Sequence, residues 1–243
     1  MRSRVLVCSF VIVCATGLIA AQEQEVKAEE VLKKMRAAYS SLKAYSDSGN
    51  LTTEMTMGGQ TVILEKPFSI AYESPDSIRF DWVATFGGIK ASHVLVSSKD
   101  GVFTYNKLLN QVILGTSLKE AIDQWSGVSG GSVRRVPCML LPIMQNEEFS
   151  ALTDLEVSEV EELIEKEHCC KISGKLSKNP VVLWICKKDS LLRKVMISTP
   201  LGKVVEVHED IKVDADVEKG ASRSVRPKDA KEVNRFDYKG VNN

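Results

Sequence analysis

The chain is poor in the residues and motifs that most directly reveal chemistry. It holds three histidines, His93, His168 and His208, each isolated in the sequence. There is no GxSxG nucleophile elbow, no HExxH pair, no phosphate-cradling glycine loop and no CxxC. Hydrolase, zinc-protease, nucleotide-binding and thioredoxin-type chemistries therefore lack their usual anchors. Gly58-Gly59, Gly87-Gly88 and Gly130-Gly131 are isolated doublets of the kind that punctuate turns. Glu161 and Glu162 belong to an acidic run, which is more simply a solvated face than an acid/base pair. Charge of either sign is not in excess, with 32 Lys and Arg against 32 Asp and Glu, and the two signs alternate along the chain. That pattern argues against a polyanionic partner, because nucleic-acid binders show a basic face or stripe. No Pro/Ser/Gly-rich linker divides the chain. From these absences the expectation is no enzyme, no metal, no cofactor and no nucleic acid.

What is present begins with a secretory leader. Arg2 and Arg4 form a basic start, Val5 to Ile19 is an uncharged, mainly apolar run, and Ile19-Ala20-Ala21 offers a small-residue cleavage site before Gln22. The run is broken by Ser9, Thr16 and Gly17 and falls short of the ~20 apolar residues that span a bilayer. Val7 and Val13, which precede Cys8 and Cys14, are not the small residues that bacterial lipoprotein signals want there. The expectation is a signal peptide over 1–21 and a single mature domain over 22–243, soluble, monomeric and in the periplasm. The tail after about residue 214 is the least defined part of that domain.

Four cysteines remain after cleavage: Cys138, Cys169, Cys170 and Cys186. An oxidising compartment permits disulfides among them. Strands at His168 to Leu176 and Val181 to Lys187, joined through a turn over Ser177-Lys178-Asn179-Pro180, would set Cys170 opposite Cys186 if the turn is centred near Lys178. A one-residue shift of register would remove the match. Two buried, inert thiols are the other reading. Zinc is disfavoured, since the adjacent Cys169 and Cys170 would point to opposite faces of a strand.

Val31, Leu32, Met35, Ala38, Tyr39 and Leu42 recur at helical spacing opposite Glu29, Glu30, Lys33, Lys34, Arg36 and Lys43. This predicts a one-sided helix ending at Asp47-Ser48-Gly49. The period then drops to two. Leu51 to Met57, Val62 to Tyr72 (with Pro67 at a bulge or edge), Ile78 to Val83, His93 to Ser98, Val102 to Asn106 and Gln111 to Leu114 read as an antiparallel meander. Ser117-Leu118-Lys119-Glu120 reads as a capping box for a short helix stopped by Gly127. A Gly/Ser-rich loop, Gly127 to Ser132, follows it. Val136 to Met144 is an apolar short helix or turn interrupted by Pro137 and Pro142. Strand signals resume around Glu156 to Ile164 and are clearer at His168 to Leu176, Val181 to Lys187, Leu192 to Thr199 and Val204 to Val213.

Large apolar residues crowd single strand faces: Phe80 with Trp82, Phe103 with Tyr105, Trp184, and the methionines Met55, Met57, Met139 and Met144. Two readings remain open. One is the packed core of a sandwich. The other is a half-open barrel whose inner face takes an acyl chain, flexible methionine suiting a pocket that adapts to different tails.

These elements, in their order and spacing from about Glu30 to about Val233, resemble the LolA-like superfamily of periplasmic lipoprotein and lipid carriers, closest to an uncharacterised exported branch. The residues that carry the resemblance are the helix Val31 to Tyr45, the Ser74-Pro75 turn with Phe80-Asp81-Trp82, Ser98-Lys99-Asp100-Gly101 with Phe103-Thr104-Tyr105-Asn106, the apolar Pro137 to Met144 segment, and Leu183-Trp184-Ile185 before Lys188-Asp189 and Leu191-Leu192-Arg193-Lys194-Val195. The resemblance implies a mainly β (α+β) fold, a curved antiparallel sheet forming an unclosed barrel covered by helices. It implies acyl chains of a lipid or lipoprotein as ligand, with outer-membrane lipoprotein sorting as the family's process and envelope membrane proteins as partners. Phe80, Trp82, Phe103 and Tyr105 would line the cavity, and Met139, Leu140 and Ile143 would cover it as a flap. The family also includes the domain of sigma-factor regulators, which implies an envelope protein-interaction or regulatory module without cargo as the alternative. One departure stands out. Lipoprotein carriers of this type place an arginine just before the turn proline to hold the helical lid closed, and this chain has Ser74, which lacks a guanidinium fork.

Overall fold

The computed structural model describes residues 27–86, 88–144, 149–158 and 160–238. The leader expected over 1–21 and its cleavage site lie outside them. Helix α1 (Ala28–Ser41) buries Ala28, Val31, Leu32, Met35 and Tyr39 and carries Glu29 and Glu30 in its first turn, where the helix dipole favours negative charge. It stops at Ser41, before the expected Asp47-Ser48-Gly49, because Leu42 is already extended and β1 (Ala44–Met57) begins two residues later. Strand β1 pairs along its length with two partners, and those two ladders outweigh another helical turn.

The meander continues through β2 (Gln60–Glu73), β3 (Ser77–Phe86), β4 (Ile89–Ser98), β5 (Gly101–Asn106) and β6 (Gln111–Gly115). Helices α2 (Leu118–Ser129) and α3 (Ser132–Leu140) and two single 3-10 turns (Pro142–Met144 and Phe149–Ala151) interrupt the strands. Ser117 caps α2 as its sequence suggests, its hydroxyl accepting from the Glu120 amide at 3.2 Å. The helix runs past Gly127, so the expected Gly/Ser loop shrinks to Gly130 and Gly131, both left-handed. Pro137 sits inside α3.

The second half adds β7 (Leu152–Val157), β8 (Glu162–Ile164), β9 (Glu167–Leu176), β10 (Asn179–Cys186), β11 (Leu192–Thr199) and β12 (Gly202–Val213). The single strand expected around Glu156 to Ile164 is thus two short ones. In the described part of the tail, β13 (Lys231–Glu232) pairs in parallel with β6, and Phe236 enters the core.

The thirteen strands among the described residues form one sheet in the order β13-β6-β5-β4-β3-β2-β1-β12-β11-β10-β9-β7, with β8 paired to β9. Every pairing is antiparallel except that of β13 with β6, and the two ends do not meet. The unclosed, mainly β architecture expected from the sequence is the one observed. The three helices pack on one face of the sheet, α1 against β7 and α3, α2 against β3, β5 and β6, and α3 against β2. That face is called inner below.

Candidate functional site

Strand alternation decides which side chains reach the inner face. Through the cross-strand register, Phe80 lines up with Leu95 and Thr104, and Trp82 with His93 and Asn106. Phe80 and Trp82 are 1% and 2% exposed and belong to the main core, together with Met139 and Leu140 of α3. Phe103 and Tyr105 do not share their face. Phe103 lies opposite Val96, one residue out of phase, and with Tyr105 packs in a separate outer cluster of Val94, Val96, Val112 and Ala230. Spacing within each strand was read correctly from sequence, whereas the phase between strands depends on turn lengths. Ile143 is also not a cover: it is 63% exposed, because Pro142 ends α3 and turns the following residues away.

Two regions of the inner face stand apart from its aliphatic remainder. The first is aromatic. Phe68 stacks on Phe80, Phe80 leans on Trp82, and Trp82 stacks on His93 at 5.0 Å between ring centres. Trp125 of α2 and Phe236 of the tail close over them. His93 Nε2 lies 2.9 Å from the Tyr238 hydroxyl and 3.1 Å from Asn106 Nδ2. Burial pushes the His93 pKa down to about 4, against a smaller opposing effect of a backbone hydrogen bond at Ala91. The indole N–H groups of Trp82 and Trp125 are buried and have no acceptor among the described residues.

The second region is ionic, and no sequence signal marked it as a group. Asp47 of β1 and Glu206 and His208 of β12 occupy inward positions that alternation reserves for core residues. His208 Nδ1 lies 2.6 Å from Asp47 Oδ2, and its Nε2 3.0 Å from Glu206 Oε1. Arg135 of α3 pairs with the other oxygen of Glu206 and donates to the Gly130 carbonyl at 3.1 Å. The Tyr45 hydroxyl donates to Asp47 at 2.7 Å. Burial alone would lower the His208 pKa, but hydrogen bonds to both carboxylates overcome it and raise it to about 9, so both ring nitrogens carry protons. Burial works against the Glu206 carboxylate too, yet Arg135 and His208 hold its pKa below the usual range. At Asp47 burial wins and raises the pKa despite His208 and Tyr45. Two cations thus face two carboxylates in a closed, charge-balanced group.

Arg135 has a structural consequence. Its pair with Glu206 ties helix α3 to strand β12 of the sheet. Lys66 of β2 adds a second link to the cover, donating to the Val128 carbonyl of α2 at 3.0 Å. Ser74 itself makes a backbone bond to Lys43.

Strand β3 pairs with β2 only from Phe68 onward, while β2 back to Gln60 pairs with β1 alone. Pro67, which has no N–H to donate, sits at the point of separation. A cleft of about 260 Å³ there is lined by Pro67, Ser69, Asp81, Val83, Ser92 and Lys107, whose strand positions alternate with the inward ones and so open on the outer face, and by Phe68, Trp82 and His93. Beyond the cleft the hairpin leaves Val62, Ile63 and Leu64 exposed at 36%, 61% and 37%.

The cysteine pairing differs from expectation by one residue. The turn is Ser177-Lys178 alone, flanked by the Leu176–Asn179 pair, so Cys186 faces Cys169, and Cys170 faces Ile185 on the other side of the sheet. Cys138, Cys169, Cys170 and Cys186 are all in the thiol form. Among the described residues no group of three or more His, Cys, Asp or Glu side chains could hold a metal ion, and no helix is long and apolar enough to cross a membrane.

No protein-family model matches the sequence, and no curated protein matches it. Solved structures do match in fold. An uncharacterised conserved protein from Thermus thermophilus aligns with a TM-score of 0.50 at 15% identity, covering 86% of this chain and 99% of that one. The Mycobacterium tuberculosis lipoprotein LppX aligns at 0.47 and 16% identity, covering 78% and 96%. LprF from Mycobacterium bovis aligns at 0.48 and 11%, covering 79% and 94%. What this chain shares with the Thermus protein at that identity is the fold alone.

Proposed function

We propose that this is an exported envelope protein that binds acyl chains of a lipid or lipoprotein between the inner face of the sheet and helices α2 and α3, as a carrier or sensor. The observation that carries this reading is the inward aromatic region, which borders the β2–β3 cleft. It is an apolar layer with a solvent-facing cleft beside it and two buried indole N–H donors, Trp82 and Trp125, lacking an acceptor among the described residues. Native proteins rarely bury a donor unpaired, and an ester or carboxyl oxygen at the head of an acyl chain is an acceptor of the right kind. Ligand pockets generally occupy ~300–1,000 Å³, more than the cleft of about 260 Å³, so seating a whole tail on the inner face requires α2 and α3 to lift. Each apolar Å² then buried contributes ~25 cal/mol, enough for a tail to bind without directional bonds. Arg135 and Lys66 are the links such lifting breaks.

A second reading has its own support. Phe80 and Trp82 are nearly inaccessible in a continuous core, as in an envelope protein-interaction module that carries no cargo. Uptake of a fluorescent fatty acid, together with native mass spectrometry of freshly purified protein, separates the two. Saturable uptake that weakens up to about tenfold in Trp82→Phe, which keeps the ring and removes the donor, supports the carrier. No uptake and no retained lipid supports the interaction module.

A further inference from the structure

Cys169 and Cys186 stand directly opposite each other on β9 and β10. Both are buried, at 0% and 1% exposure, in a small outer cluster with Trp184 that Ile164, Val182 and Met196 surround. The neighbouring hydrogen bonds identify the kind of pair they form. The Lys187 amide donates to the His168 carbonyl at 3.0 Å, so the next opposed pair along the ladder is hydrogen-bonded. Antiparallel pairs alternate, which makes Cys169 and Cys186 a non-hydrogen-bonded pair. The Cys186 amide agrees, since it turns the other way and donates to the Leu191 carbonyl at 2.9 Å. Opposed residues of that kind have Cα atoms about 4.5 Å apart, within the roughly 4.4–6.8 Å that a disulfide spans. Neither sulfur has a strong competing partner. Cys169 Sγ lies 3.5 Å from the Glu167 carbonyl, and Cys186 Sγ lies 4.0 Å from a Glu167 carboxylate oxygen.

We propose that Cys169 and Cys186 form a cross-strand disulfide when the chain folds in an oxidising compartment, pinning the β9–β10 hairpin in register. The oxidant is a disulfide, either a small molecule such as oxidised glutathione or a disulfide-bonded oxidoreductase. One cysteine thiolate attacks a donor sulfur and releases the first donor thiolate. The second cysteine thiolate then attacks the mixed disulfide at the protein sulfur and releases the other. Two electrons pass to the donor, and the two protons lost by the cysteines end on the two donor thiols. In the folded chain burial pushes the Cys169 pKa up to about 11, and the sulfurs are closed off. Oxidation therefore belongs to folding, before β8 and its neighbours cover the hairpin, and the finished bond is sheltered from reductants. The inference uses export only as the source of oxidant and is independent of whether the protein carries lipid.

Reduced, unfolded full-length protein refolded in glutathione buffer, with free thiols then alkylated, tests it by non-reducing peptide mapping. The expected result is one linked pair of peptides containing Cys169 and Cys186, with Cys138 and Cys170 alkylated. Cys170→Ser should leave that link intact and Cys186→Ser should abolish it. The linked form should melt several degrees above the reduced form. Four alkylated cysteines at these positions, a link through Cys138 or Cys170, or a Cys169–Cys186 form melting at or below the reduced protein would each overturn the proposal.

Discussion

His93 and His208 stand on the same inner face and neither is exposed, yet they are driven in opposite directions. His93, among Trp82, Trp125 and Phe236, is pushed down to about 4 by burial and is neutral at pH 7. His208, between Asp47 and Glu206, is raised to about 9 and is charged. Burial is common to both, so the difference lies in whether neighbouring carboxylates replace the water that burial removes. The same contrast separates the two regions mechanically. The aromatic region holds its neighbours by area and shape, whereas the ionic region ties α3 to β12 by a charge balance that fails if one member is removed.

The largest test of that contrast is Arg135→Met. It leaves Glu206 buried with His208 as its remaining cation, and a loss of about 3–5 kcal/mol is expected in urea unfolding. A midpoint and slope unchanged from wild type would show that α3 is not anchored there. Gly49→Ala probes the seam between the regions. Gly49 lies between Phe68 and His208 in neighbouring strands, and its missing side chain lets the Phe68 ring cross β1 to meet His208 edge-on at 5.4 Å. An added Cβ would collide with that ring and with the Val207 carbonyl, so a cost of about 1–3 kcal/mol is expected. Thermal stability equal to wild type would mean that the ring moves aside freely.

The pH dependence sharpens the comparison further. The folded pKa of His93 lies below the ordinary value of 6.5, so its contribution to stability is present above 6.5 and is lost as pH falls from there toward about 4. That of His208 lies above 6.5, so its contribution is full below 6.5 and is lost as pH rises through about 9. Imidazole proton NMR should show the two titrating on opposite sides of 6.5, and a shared midpoint would contradict the separation. The smallest expected effect is that of Ile143→Asp. Since Ile143 is exposed, the change should stay within about 0.5 kcal/mol, and unfolding would mean that the Ile143 side chain is packed after all.

Much of the fold could be read along the chain. The apolar stripe of α1, the two-residue periods of the meander and the Ser117 cap all follow from local physics and are present, although α1 ends and β1 begins earlier than patterning puts them. Pro67 also behaves as read, at the point where β2 becomes an edge. The candidate cavity was legible only in part. Phe80, Trp82, Met139 and Leu140 are together in one core, while Phe103 and Tyr105 are on the opposite face and Ile143 is in solvent. The ionic group was not legible at all, since Asp47, Arg135 and Glu206 have the composition of ordinary surface residues and are widely separated in sequence.

What the amino-acid sequence determined by itself was the type of each element and the set of side chains sharing a face within it, because both follow from backbone periods of 3.6 and 2 residues. Tertiary structure decided the phase between elements. A turn of two residues, Ser177-Lys178, set Cys169 rather than Cys170 against Cys186, and the β3–β4–β5 register turned Phe103 away from Trp82. It also decided charge. Whether a buried histidine is neutral or protonated depends on groups brought within about 3 Å of it, and folding brought Asp47 to His208 from 161 residues away.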